Sequence, residues 1–74
     1  MKLSYYPDTD SLYIDFSSKK SVRSTEISEG VVLDYDSEGN ITGIDIDNAS
    51  KKIDLEDMSF SKIPISGNKL TASE

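Results

Sequence analysis

Apolar and polar residues alternate along most of the chain up to Asp47. In KLSYY, Leu3 and Tyr5 fall on one side, and Ser4 and Tyr6 on the other. In SLYIDF, Leu12, Ile14 and Phe16 share a side opposite Tyr13 and Asp15. A strand turns successive side chains to opposite faces, so each run reads as a half-buried strand. Between them lies PDTD, where Pro7 presets a turn torsion and Asp8 and Asp10 can bond to nearby backbone. A loop from Pro7 to Asp10 sets Tyr5 opposite Leu12 and Leu3 opposite Ile14. Both pairs are apolar and on one face, so loop length and pattern agree on a hairpin register.

The polar link SSKKS leads to VRSTEI, a weaker strand candidate in which Val22 and Ile27 are out of phase, so a bulge or an early end is expected. Gly30 supplies the freedom for a tight turn into VVLDYD. There Val31, Leu33 and Tyr35 point inward, and Val32, Asp34 and Asp36 outward. ITGIDID is less regular: Ile44 and Ile46 share a side with Thr42, and Ile41 takes the other. A type I turn from Asp36 with Gly39 left-handed pairs Asp36 with Asn40 and sets Tyr35 against Ile41. Uninterrupted pairing then opposes Leu33 to Gly43 and Val31 to Asp45. One extra residue near Gly43 opposes Leu33 to Ile44 and Val31 to Ile46 instead, so a bulge is predicted there.

After Asp47 the period changes. In NASKKIDLEDM, Asn48 is a candidate helix cap, and Asp54 with Asp57 a weaker capping box. Ala49, Ile53 and either Leu55 or Met58 would face the sheet. SFSKIPIS adds an edge-strand candidate confined by Pro64, and residues 67–74 read as a frayed tail. The expected fold is mainly β (α+β): an antiparallel meander sheet of four to five strands with one short C-terminal helix on one face. Residues 1–66 would form this single small domain.

Composition narrows the function more than the fold. The 74 residues include no cysteine and no histidine. Disulfides, thiolate metal sites and cysteine nucleophiles are therefore excluded, and so are the commonest general base and transition-metal ligand. The net charge of -6 repels phosphate backbones, so no nucleic-acid partner is expected. No apolar run is long enough to cross a bilayer, and MKLSYYPDTD lacks the apolar stretch of a signal peptide. A cytoplasmic protein without a membrane partner is the expectation.

The acidic stretch DYDSEGNITGID can be laid on a calcium-binding EF-hand loop, with Asp34, Asp36, Glu38 and Asp45 at ligand positions and Gly39 at the glycine. Against that frame stand strand-like flanks where helices are needed, and aspartate at the last position where glutamate chelates with both oxygens. The hairpin reading is preferred; a weak calcium- or metal-binding module through those four residues is the alternative. Ser18-Lys19 and Ser50-Lys51 are adjacent pairs, but a Ser/Lys catalytic pair needs a buried, desolvated lysine. Asp45 and Asp47 as an acid/base pair would need environments that separate their pKa values. The glycines are isolated, so no phosphate-binding loop is present. No catalytic, cofactor-binding or resident metal residue is assigned, and the chain is not expected to be an enzyme. The inferred outward face collects Tyr6, Tyr13, Asp15, Val32, Asp34, Asp36, Asp45 and Asp47. Aromatic residues carry much of interface energy, so this acidic face is a candidate landing site for a basic protein. An exposed sheet edge offers the alternative of self-association as a homodimer.

Four pieces together carry a family resemblance: Y-x-P-x-x-D-S-L-Y-I beginning at Tyr5, G-V-x-L-D-Y-D beginning at Gly30, G-x-I-x-G-I beginning at Gly39, and A-S at Ala49. Over residues 2–53 the chain resembles the small prokaryotic family catalogued as domain of unknown function 2283. Asp47 stands where an apolar residue is more typical of that pattern. The resemblance implies no established activity, cofactor or catalytic residue. It implies a small stand-alone protein; some such members look to be encoded beside toxin-like partners, which hints at an antitoxin-like binding role.

Overall fold

The computed structural model describes residues 1–57, Ser59 and Ser61. Five strands, β1 (Lys2–Tyr6), β2 (Ser11–Asp15), β3 (Arg23–Ser28), β4 (Val31–Tyr35) and β5 (Ile41–Ile46), precede a short helix α1 (Ala49–Lys52). All pairings are antiparallel, in the spatial order β1-β2-β5-β4-β3. The antiparallel, mainly β architecture with one short helix is as expected. The simple meander order is not: β5 lies between β2 and β4, and β3 is an edge. The residues explain this correction. A consecutive meander would place RSTEIS in the middle of the sheet, yet every residue of β3 is exposed and only Ile27 is strongly apolar. In β5, by contrast, Ile46 and Ile44 lie opposite Leu12 and Ile14 of β2 and opposite Val31 and Leu33 of β4. The centre goes to the strand with apolar partners on both sides.

Register follows the alternation closely. Leu3 pairs with Ile14 and Tyr5 with Leu12. Val31 pairs with Ile46, Leu33 with Ile44 and Tyr35 with Ile41; between Asp34 and Tyr35 the register shifts, with Thr42 as the extra residue beside Gly43. The carbonyl of this bulge residue accepts the Phe16 N–H at 2.8 Å. A second shift, between Glu26 and Ser28, leaves Ile27 as the irregular residue of β3, where the sequence suggested a bulge or an early end. The β4–β5 loop closes with the Gly39 N–H donating to the Asp36 carbonyl at 3.1 Å and the Asp36 N–H to the Asn40 carbonyl at 2.9 Å. Gly39 is left-handed with φ 85, a conformation that glycine adopts without steric cost.

The core is small. Leu12, Ile46 and Ala49 are the buried apolar residues among those described, with Ile14, Val31 and Ile44 packed against them. Asn48 precedes α1 but is itself left-handed and makes no side-chain cap bond, which corrects its expected role. Asp10, some forty positions earlier in the chain, does that work: its carboxylate accepts the Ser50 N–H at 3.1 Å and the Ser50 hydroxyl at 2.8 Å, and its carbonyl accepts the Ala49 N–H at 2.8 Å. The helix stops at Ile53, which is extended. Asp54 then accepts the Glu56 N–H at 3.0 Å in a turn, not in the capping box of a second helical segment. Met58, most of the edge-strand candidate and the tail at 67–74 lie outside the described residues. No helix among the described residues is long and apolar enough to cross a membrane.

Candidate functional site

The polar face of the sheet places two rows of side chains across β2, β5 and β4. In one row Tyr13 lies opposite Asp45, and Asp45 opposite Val32. In the next, Asp15 lies opposite Gly43, and Gly43 opposite Asp34. Gly43 occupies the centre of this patch, and its missing side chain is the reason the patch can form. A β-carbon there would meet the Tyr13 hydroxyl, and would sit 2.7 Å from the ring carbon that bears it. The phenol thus lies over the glycine and reaches β4, where its hydroxyl donates to Asp34 Oδ2 at 2.7 Å. The Ser24 hydroxyl donates to Asp34 Oδ1 at 2.6 Å from the other side. Asp34 is held at both oxygens by two strands that are not adjacent to each other.

Electrostatics on this face is dominated by like charge. The Tyr13 phenol is pushed up to about 12, first by donating to Asp34, then by burial, and then by the charges of Asp34, Asp15 and Asp45. Burial raises the Asp45 carboxyl above its ordinary value, with the charges of Asp47 and Asp34 adding to the effect. Each added negative charge makes the next one costlier, and an incoming cation relieves that cost.

Of the eight residues read as one outward face, Tyr13, Asp15, Val32, Asp34 and Asp45 are brought together. Tyr6 is exposed at the end of β1, opposite Ser11. Asp47 lies just beyond β5, exposed, where its backbone N–H donates to the Gly30 carbonyl at 2.8 Å. The strand ends before it, which accommodates an acid at this position. Asp36 does not join the face. It is 7% exposed and turned into its own loop, accepting the Glu38 N–H at 2.9 Å and the Asn40 N–H at 2.9 Å. These bonds hold its carboxyl below the ordinary range, the Asn40 amide contributing most.

The same geometry bears on the calcium-loop frame. Its flanks are the strands β4 and β5, Asp36 is engaged by its own loop, and Asp34 by Tyr13 and Ser24. Among the described residues no three or more aspartate or glutamate side chains are grouped to hold a metal ion.

Two features were not read from the pattern. Asp10 ties the first hairpin to α1 and also accepts the Tyr5 hydroxyl at 2.7 Å; its only sequence signal was its turn position. The described residues cover the apolar face only in part. Leu3, Tyr5, Leu12, Ile14, Ile53 and Leu55, with Asp54 and Asp57, line a shallow groove of about 400 Å³ along its β1 side.

A single five-stranded sheet, acidic on one face and capped by a helical turn on the other, defines a small antiparallel β domain. The chain belongs to the family described as Protein of unknown function (DUF2283), whose model matches residues 2–50 and so spans all five strands. No curated protein and no solved structure matches the chain.

Proposed function

We propose that the chain is a non-catalytic binding module whose acidic sheet face receives a basic segment of a partner protein. The observation that supports this reading most is the fixed patch of Asp15, Asp34 and Asp45 around Tyr13 and Gly43. Three carboxylates on adjacent strands need little reordering to meet a cation, so the entropic cost of contact is small. Tyr13 adds an apolar ring to a charged surface, the combination that favours arginine or lysine stems. The net charge of -6 steers a basic partner toward the molecule as a whole. In its finest form the partner is a basic, toxin-like protein held by an antitoxin-like module in the cytoplasm; the family resemblance and the absence of cysteine support that form.

The test is a titration of the full chain with a short arginine-rich peptide, followed residue by residue through amide shifts. Saturable shifts centred on Tyr13, Asp15, Asp34 and Asp45 are expected, weakening as salt rises. Asp15→Asn with Asp45→Asn should weaken binding by about tenfold, whereas neutralising Glu29 and Glu56 should change it little. Shifts spread evenly over all acidic residues, with both double variants alike, would refute the reading.

A further inference from the structure

The two edges of the sheet are unequal. Among the described residues nothing pairs with the outer side of β1 or of β3. An unpaired edge offers a row of amide and carbonyl groups to any strand that fits. β3 is guarded: a bulge at Ile27 interrupts its ladder, and Arg23 and Glu26 put charges of both signs along it. β1, KLSYY, has no bulge in its pairing with β2, no proline and no carboxylate. We propose that two copies of the chain join by antiparallel pairing of β1 with β1 about a two-fold axis through Ser4.

The register is dictated by the residues. Opposed residues in an antiparallel ladder share a face, so only registers that keep Leu3 and Tyr5 on the apolar side are admissible. Centring on Leu3 leaves Tyr6 without a counterpart in β1, and centring on Tyr5 runs Leu3 into Pro7 of the other copy. Centring on Ser4 pairs all of β1: Lys2 with Tyr6, Leu3 with Tyr5 and Ser4 with Ser4. On the apolar side, Leu3 and Tyr5, 40% and 43% exposed, then cover one another. The groove beside β1, lined also by Leu12, Ile14, Ile53 and Leu55 and by the acids Asp54 and Asp57, adjoins its symmetry mate, so two half-covered apolar faces become one while those acids stay outside the strand ladder. On the polar side, the Lys2 ammonium approaches the Tyr6 ring, which is 53% exposed, an arrangement favourable for a cation over an aromatic face. Just past Tyr6, the turn carries Asp8 and Asp10, so the basic end of each strand meets the acidic turn of the other copy. The two lysines lie at opposite ends of the ladder and do not repel each other. Within this ladder no carboxylate opposes another, although the chain carries a net charge of -6.

A strand-edge contact of this length is at the small end of stable interfaces, so a dissociation constant of about 10–100 μM is expected. The full chain should sediment as a monomer–dimer equilibrium over that range, and Lys2→Glu should weaken it by about tenfold. The chain has no cysteine, so single-cysteine variants report geometry cleanly. In Ser4→Cys the two sulfur-bearing residues face each other across the axis, at a Cα separation of about 4.5–5.5 Å that suits a disulfide. Under mild oxidation Ser4→Cys should cross-link at least about tenfold faster than Thr25→Cys on the β3 edge. A full chain that stays monomeric to about 1 mM, with Ser4→Cys no faster than Thr25→Cys, would overturn the proposal. None of these substitutions touches Asp15, Asp34 or Asp45, so this contact and the acidic-face reading stand or fall separately.

Discussion

Gly43 and Tyr13 depend on each other, and Asp34 depends on both. The phenol needs the absent side chain to cross β5, and the carboxylate needs the phenol to fill one of its oxygens. The folded phenol titrates at about 12, above its ordinary value of 10.0. A group whose pKa is raised by folding stabilises the fold below its unfolded value and loses that contribution as pH rises through the folded one. The Tyr13 contribution is therefore complete below about pH 10 and gone above about pH 12. Tyr13→Phe should lower stability at neutral pH by about 1 kcal/mol, a net hydrogen bond, and remove the highest-pH component of the tyrosinate absorbance titration. Thr42 tests the opposite sign. It is 3% exposed, and its hydroxyl oxygen finds no partner among the described residues. Valine keeps the branched shape and removes the desolvated oxygen, so Thr42→Val should raise stability to denaturant by about 1 kcal/mol. Destabilisation would show that the hydroxyl is bonded in solution.

At the scale of elements, the β4–β5 hairpin is governed by its loop. Asp36 gathers the amides of Glu38 and Asn40 with the carboxylate that an EF-hand frame would assign to an ion. Its pKa is lowered by those bonds, so its contribution to stability is present above the ordinary carboxylate value of 3.8 and is lost as pH falls through the depressed folded value. Asp36→Ala should lower the melting temperature at pH 7 by about 5 °C, with the gap from the unmodified chain closing as pH falls below the ordinary carboxylate value of 3.8 and through the depressed folded one. Thermal melts at neutral and acid pH measure both. Hairpins were the most legible elements in the sequence, because alternation and turn chemistry each specify register, and both hairpins pair as read. A bulge near Gly43 was legible too, since only one extra residue restores apolar opposition; the extra residue is its neighbour Thr42. The helix cap was not. Asn48 has the right residue type in the right place, but Asp10 reaches α1 from the first hairpin, and contacts so distant in sequence leave no local trace. Asp36 failed as a face residue for a related reason: alternation gives the side on which a side chain starts, not the amides it then folds back to meet.

The whole molecule is a thin sheet with little depth. Among the described residues, three buried apolar side chains and three half-buried neighbours make a modest core, and small domains bury too little surface to be robust alone. Its two faces consequently differ in kind, one crowded with negative charge, the other apolar and partly open beside β1. Strand order was the largest feature that alternation could not convey. Period and turn length describe neighbours in sequence, whereas the β2–β5 seam joins strands some thirty residues apart. The placement of β5 also makes it the seam of the sheet. No strand pairing among the first forty residues links the early hairpin to β3 and β4. The segment from Ile41 to Ile46, paired with β2 on one side and β4 on the other, therefore fuses two ribbons that share no other strand pairing among the described residues, and a substitution that unseats it would part the layer in two.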